Sequence, residues 1–204
     1  MKAKIRVLLA EDQAMVRGAL SALLSLEPDL EVAAEVSEGS QVLPAALKSN
    51  PDIALLDIGM PGGDGISAAE VLHKSLPSCR IVILTTFGRS GYLRKAMESG
   101  AVGFLLKDAP ADQLAIAIRR VMNGDRVVDP DLALSALSDG DNPLTTRERD
   151  VLRASLDGVS IADIATQLYL SEGTVRNHLS TAIQKLNVHH RMEAARLAQE
   201  KGWL

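Results

Sequence analysis

Ile53-Ala54-Leu55-Leu56-Asp57-Ile58-Gly59-Met60-Pro61-Gly62 is the stretch on which the fold turns. Its first four residues are apolar without alternation, the pattern of a strand buried on both faces. The run stops at a carboxylate, Asp57, and enters a turn rich in Gly and Pro. Four other runs read the same way: Ile5–Ala10, residues 31–36, Arg80–Thr85 and residues 102–106. Helix-period segments lie between them. Leu114, Ala117, Ile118 and Val121 recur at helical spacing, as do Met15, Ala19 and Leu23 beside Val16, Leu20 and Leu24. Five strands alternating with five helices predict an α/β domain over residues 1–123, built on a doubly wound five-stranded parallel sheet. Ligands of such sheets sit beyond the carboxyl ends of the strands.

Working outward, 204 residues leave room for a second small domain. With 47% hydrophobic and 24% charged residues, the chain is neither disordered, nor collagen-like, nor a disulfide scaffold. A single cysteine, Cys79, excludes an internal disulfide and a cysteine-based zinc site. Its apolar runs are too short to span a bilayer, and Glu11 and Asp12 interrupt the first. A cytoplasmic protein without membrane insertion is expected. Residues 124–142 carry five acids against one arginine, with Pro130 and Gly140, and predict an acidic linker with a weak helical pattern at 132–137. From 143 to 204 only helical patterns remain. Thr145 or Thr146 caps the first helix, with Glu148 in its first turn, and Gly158 ends it. Ile161–Leu168 is the second. Ser171 caps the third, Glu172–Leu186, and residues 193–199 belong to a fourth.

Glu11 and Asp12 follow the first strand, and Asp57 ends the third. In a doubly wound sheet those strands are usually neighbours, so three carboxylates converge on one edge. Like charges so placed repel unless a cation lies among them. Their hard oxygens suit Mg²⁺, which takes few protein carboxylates and keeps room for water and phosphate. Thr85 ends the fourth strand and Lys107 the fifth, where Asp108 and Pro110 begin a new helix. A nucleophilic carboxylate, a metal site, a hydroxyl and a lysine are the parts needed for phosphoryl transfer to Asp57.

These residues resemble the receiver domain of bacterial response regulators. The resemblance spans residues 4–123 and rests on Glu11-Asp12, Leu56-Asp57-Ile58-Gly59-Met60-Pro61-Gly62 with Asp64-Gly65, Leu84-Thr85-Thr86 and Leu106-Lys107. It implies that Asp57 is the phosphoacceptor. Glu11 and Asp12, with Asp57 and the Gly59 carbonyl, would hold Mg²⁺. It makes Thr85 the switch hydroxyl, Lys107 the phosphate-pairing lysine and Phe104 the aromatic that moves inward with Thr85. Thr86 departs from the family, which usually has Ala or Gly there; its β-branch narrows the approach to an acyl phosphate.

In the third C-terminal helix Val175, Leu179, Ile183 and Leu186 fall within about 80° of arc at about 100° per residue. They form a buried stripe. Asn177, Ser180, Thr181 and Gln184 cluster opposite, with Arg176 at the edge. Such a face suits base edges and phosphates. A solvated face of an ordinary bundle has the same pattern. Residues 143–204 resemble the LuxR-type helix-turn-helix domain, through Leu144-Thr145-Thr146-Arg147-Glu148, Ile161-Ala162-Asp163-Ile164-Ala165, Ser171-Glu172-Gly173-Thr174-Val175-Arg176-Asn177-His178 and Lys185-Leu186. Glu172–Leu186 then corresponds to the recognition helix. Arg176, Asn177, Ser180, Thr181 and Gln184 face DNA, and Lys185 and Arg191 meet phosphates. His178 supports the helix or a phosphate.

A receiver followed by a LuxR-type domain is similar to the NarL/FixJ class of response regulators. Leu84-Thr85-Thr86-Phe87, Gly91-Tyr92, Gly173-Thr174-Val175-Arg176-Asn177 and Glu200-Lys201-Gly202-Trp203 resemble the DesR-type members, which control lipid desaturation with a thermosensing kinase. The class implies a sensor histidine kinase as phosphodonor, a homodimer on phosphorylation and double-stranded promoter DNA as target. It implies a regulator rather than an enzyme. Phosphatases of the haloacid dehalogenase type also use an Asp after a strand, but they need an acid two residues on, where this chain has Gly59. A receiver-like module that is never phosphorylated is a further alternative, and the set Glu11, Asp12, Asp57, Thr85 and Lys107 argues against it.

Overall fold

A computed structural model describes residues 4–86, 90–108, 111–130, 132–134, 142–156 and 158–204. Phe87, Pro110 and residues 135–141 of the expected linker lie outside them. The chain divides into two compact units, the second beginning, apart from a short segment at 89–92, at Leu134.

In the first unit β1 (Ile5–Ala10), β2 (Leu30–Val36), β3 (Ile53–Asp57), β4 (Arg80–Thr85), β5 (Gly103–Leu106) and β6 (Val127–Val128) form one sheet in the order β2-β1-β3-β4-β5-β6. All five pairings are parallel. The helices α1 (Ala14–Ser25), α2 (Gly39–Ser49), α3 (Gly65–Ser75), α4 (Ser90–Glu98) and α5 (Ala111–Met122) alternate with the strands. The expected five-stranded sheet is therefore corrected to six. The sixth strand lies within 124–142, so that segment is not linker throughout. It pairs Val127 with Gly103 and Val128 with Phe104. Two residues among aspartates are too short a run for periodicity to reveal; the free edge of β5 selects them.

Alternate strand residues serve opposite faces. Val7, Leu9, Ile53, Leu55, Val82 and Leu84 are buried against Leu24 of α1 and Ala117, Ile118 and Val121 of α5. Leu8, Ala10, Leu56, Ile81 and Ile83 are equally buried. Burial on both sides is what the unalternating apolar runs required. It also pushes Cys79 up to about 12, chiefly by desolvation with a smaller effect of Asp52, so its thiol stays protonated and inert.

The second unit is helical: α6 (Thr146–Ser155), α7 (Ile161–Leu168), α8 (Glu172–Leu186) and α9 (Arg191–Glu200). Val151, Leu152, Ile164, Val175, Leu179, Ala182, Leu186, Ala194 and Ala198 make its core. Each start has its cap. Thr145 and Glu148 close a capping box on α6, Ser160 and Asp163 one on α7, and Ser171 caps α8 through the Thr174 amide. None of the described helices is long and apolar enough to cross a membrane.

Gly65 opens α3, with Asp64 as its cap. A Cβ on Gly65 would run into the backbone carbonyl of Asp57. The close approach brings α3 onto the end of β3 and leaves no room for a side chain. Gly65→Ala is expected to lower stability by about 1–3 kcal/mol through overpacking, measured by urea denaturation. A variant as stable as the parent would show that α3 can shift away from Asp57 freely.

Candidate phosphoacceptor site and DNA-reading helix

The order β2-β1-β3 places a topological switch point between β1 and β3, where open sheets of this type bind ligands. β1 ends at Ala10, and the Glu11 amide extends its ladder by donating to the Val36 carbonyl at 3.1 Å. Asp57 is the last residue of β3, in register with Leu84. Thr85 is the last residue of β4, opposite Leu106. The Lys107 amide donates to the Thr85 carbonyl at 2.8 Å, carrying the β4–β5 ladder one residue further. Glu11, Asp57, Thr85 and Lys107 therefore issue from the same end of four adjacent strands.

Carboxylate oxygens of Glu11, Asp12 and Asp57 lie within 4.8 Å of one another. Lys107 Nζ sits 2.5 Å from Glu11 Oε2 and 2.9 Å from Asp57 Oδ1. One ammonium thus bridges two carboxylates that have almost left solvent. Burial raises the Glu11 carboxyl above its usual range, with Asp57 adding to the effect and Lys107 opposing it. At Lys107 burial acts against the charge, but the bonds to Glu11 and Asp57 prevail and raise the ammonium above its usual value. The lysine stays charged.

Asp12 Oδ1 is buried and lacks a hydrogen-bond partner among the described residues. An unpaired carboxylate oxygen in that position is costly, and a cation relieves it. Three hard carboxylates, one with an orphaned oxygen, fit a divalent ion of the Mg²⁺ type. Gly59 lies beside this cluster, close enough that a Cβ there would stand 3.6 Å from Asp57 Oδ2. Thr85 is buried and Phe104 is fully buried, already inward of the sheet edge. Thr86 is exposed.

On α8 the buried residues are Val175, Leu179, Ala182 and Leu186. Ile183 is only half-buried, and Ala182 takes the central place that the sequence reading assigned to it. Arg176, Asn177, Ser180, Thr181 and Gln184 are exposed together. Arg176 forms an i,i+4 pair with Glu172 at 2.7 Å, an exposed pair that a competing phosphate or base can displace. The Thr181 hydroxyl donates to the Asn177 carbonyl at 3.0 Å, leaving its methyl outward. Arg191 opens α9 and is half-exposed, and His178 is half-buried.

Lys185 departs from expectation. Its Nζ meets Glu148 Oε2 at 2.8 Å, and Glu148 is 5% exposed. The same carboxylate oxygen accepts from the Thr145 amide at 2.7 Å. Lys185 therefore ties α8 to the start of α6 while remaining exposed at the surface. The capping box was visible in Thr145-x-x-Glu148, but its cationic partner lies 37 residues away and has no local signal. Burial alone would raise the Glu148 carboxyl. The bonds from Lys185 and Thr145 outweigh it and hold the group below its usual range.

Residues 7–119 match the response regulator receiver domain family, and residues 142–198 match the luxR family of bacterial regulatory proteins. The uncharacterized transcriptional regulatory protein YvfU of Bacillus subtilis (strain 168) is 48% identical over 98% of this chain and 100% of its own length. The transcriptional regulatory protein DesR of the same organism is 45% identical over 98% of both. Among solved structures, the response regulator ChrA of a heme-sensing two-component system aligns with a TM-score of 0.60 and 33% identity, over 99% of this chain and 100% of that one. The chain belongs to the NarL/FixJ class of response regulators, with a receiver domain followed by a LuxR-type DNA-binding domain. Its field is transcription regulation.

The Glu148 network makes a stability prediction. A depressed folded-state value means that its contribution is complete above the ordinary value of 4.5 and is lost as pH falls through the folded value. Lys185→Ala leaves a buried carboxylate with fewer partners. Expected are a loss of about 1–3 kcal/mol from the C-terminal unit at neutral pH and a shift of its acid unfolding to higher pH. Denaturation followed at several pH values checks both.

Proposed function

We propose that Asp57 accepts a phosphoryl group from a phosphohistidine of a sensor histidine kinase, and that the phosphorylated chain dimerises and binds promoter DNA. The observation that carries this is the Lys107 ammonium bridging Glu11 and Asp57 beside the orphaned oxygen of Asp12. An Asp57 oxygen attacks phosphorus, the P–N bond to the donor imidazole breaks, and the imidazole leaves with its electron pair. The product is an acyl phosphate on Asp57 and a free histidine on the kinase. Lys107, already paired with Asp57, neutralises charge on the transferring oxygens. Glu11, Asp12, Asp57 and the Gly59 carbonyl would hold Mg²⁺, which supplies further charge neutralisation and orientation. Water turnover like that of a phosphatase is disfavoured because Gly59 stands where such enzymes keep an acid. The chain in this reading is a regulator acting in the cytoplasm, where its DNA lies.

Thr85 and Phe104 form the switch. A phosphoryl group on Asp57 draws the Thr85 hydroxyl toward it and favours the inward position of Phe104, so phosphorylation acts by shifting a population. The surface that answers is the α1–α5 face. Met15 and Leu26 at α1, and Ile116 on α5, are large apolar side chains left in solvent. A groove of about 420 Å³ runs between the helices, lined by Leu20, Leu23, Leu114, Ile116, Ala117 and Arg120 among others. Apolar patches of this kind mark association sites. Two dimerised receivers bring two copies of α8 to two half-sites.

Asp57→Asn keeps the shape and removes the nucleophile. It is expected to gain no phosphoryl group from a small acyl phosphate in Mg²⁺, and chelation should abolish labelling of the parent. Incorporation at the parental rate in the variant would overturn the assignment. For the dimer, Ile116→Asp should leave phosphorylation intact and keep the labelled protein monomeric in sedimentation at concentrations where the parent pairs. Unchanged pairing would move the interface elsewhere.

A further inference from the structure

The turn between α7 and α8 holds a residue whose placement neither packing nor the backbone explains. Tyr169 closes α7 with φ 55° and ψ 45°, the left-handed region. A residue with a Cβ is disfavoured there, and Gly or Asn is the ordinary occupant. The other described non-glycine residues at positive φ are Asn50 and Asn187. The turn itself needs only the backbone: the Tyr169 amide donates to the Thr166 carbonyl at 3.3 Å and the Leu170 amide to the Ala165 carbonyl at 2.9 Å. These bonds satisfy the helix end in the usual way, and asparagine or glycine makes them at lower cost.

Burial does not repay the conformation. Tyr169 is 96% exposed, while Leu170 beside it packs against the core of the unit. A large aromatic ring stands in water at a backbone position that penalises it, and such strain is retained where it serves a contact. The neighbourhood says which contact. Ser171, Arg176 and Asn177, at the N-terminal end of α8, are exposed, and the acid among them, Glu172, is paired with Arg176. In a helix-turn-helix that end enters the major groove while the first helix, here α7 with Tyr169 at its close, crosses the DNA backbone.

We infer that Tyr169 is a DNA-backbone contact. Its hydroxyl donates to a phosphate oxygen at the rim of the groove that α8 enters, and its ring lies along the adjoining sugar. This rests on the DNA-binding role proposed for α8. A tyrosine contact of this kind fixes orientation and carries no base preference. Being neutral, it displaces no counterion and leaves the salt dependence unchanged.

The test is binding of the full chain, phosphorylated with a small acyl phosphate in Mg²⁺, to a duplex selected by the protein from a random pool and to a random-sequence duplex, over a salt series. The parent is compared with Tyr169→Phe, Tyr169→Asn and Asn177→Ala, with thermal unfolding of each. Tyr169→Asn should weaken both duplexes by a similar factor, about 5–20-fold, and melt no lower than the parent because the left-handed strain is relieved. Tyr169→Phe should reproduce most of that loss, and neither should change the salt slope. Asn177→Ala should lose affinity mainly for the selected duplex. Parental affinity in Tyr169→Asn, alongside a loss in Asn177→Ala, would overturn the tyrosine contact and leave the reading of α8 intact. A loss in Tyr169→Asn accompanied by lower melting would mark a structural role and also overturn it. No binding of the parent to either duplex would overturn both.

Discussion

Three carboxylates and one ammonium gathered at a strand crossover govern the receiver. Glu11 and Asp57 are almost withdrawn from water, and left alone they would repel strongly. Lys107 spans them and offsets that repulsion. The arrangement is demanding: Lys107 must leave β5 beside Thr85, Glu11 must leave β1 beside β3, and Gly65 must stay bare so that α3 can sit on the Asp57 carbonyl. In the proposed reaction a phosphoryl group on Asp57 would give Lys107 a new anion to serve and so disturb this local balance.

The second unit repeats the theme with a different purpose. Glu148 is a buried acid held by a cap amide and by Lys185, and the pair locks the start of α6 to the last turn of α8. Breaking such a pair is far more disruptive than its net worth suggests, since it strands the buried partner. The lock fixes the rotation of α8 about its axis. With Val175, Leu179, Ala182 and Leu186 inward, the acid-free polar side has one direction left to face. Residues 143–204 carry 8 basic and 7 acidic side chains, so non-specific attraction of this unit to DNA is weak.

Much of this was legible in the chain. Unalternating apolar runs gave strands buried on both faces, and the carboxylates at the ends of two of them could be assigned to one edge from the chain alone. That inference holds because strand direction in a βα alternation is set by connectivity, and parallel strands put all their carboxyl ends on one side. The caps of α6 and α8 were equally local: Thr145, one of two threonines the chain offered, and Ser171 precede their helices by one residue, while the Ser160 cap of α7 emerged only in the structure.

What the sequence by itself determined, then, is whatever depends on neighbours along the chain: strand and helix periods, caps, and which residues stand at strand ends. The tertiary structure alone decided the rest. It made Val127–Val128 a sixth strand, because an open edge of β5 was there to be paired. It committed Lys185 to Glu148, and it set Ala182 rather than Ile183 at the centre of the buried stripe. It left Tyr169 in water beside a half-buried Leu170 that packs on the core. Each outcome turns on the distance between groups far apart in sequence or on the space left after packing, and neither quantity is written in local pattern.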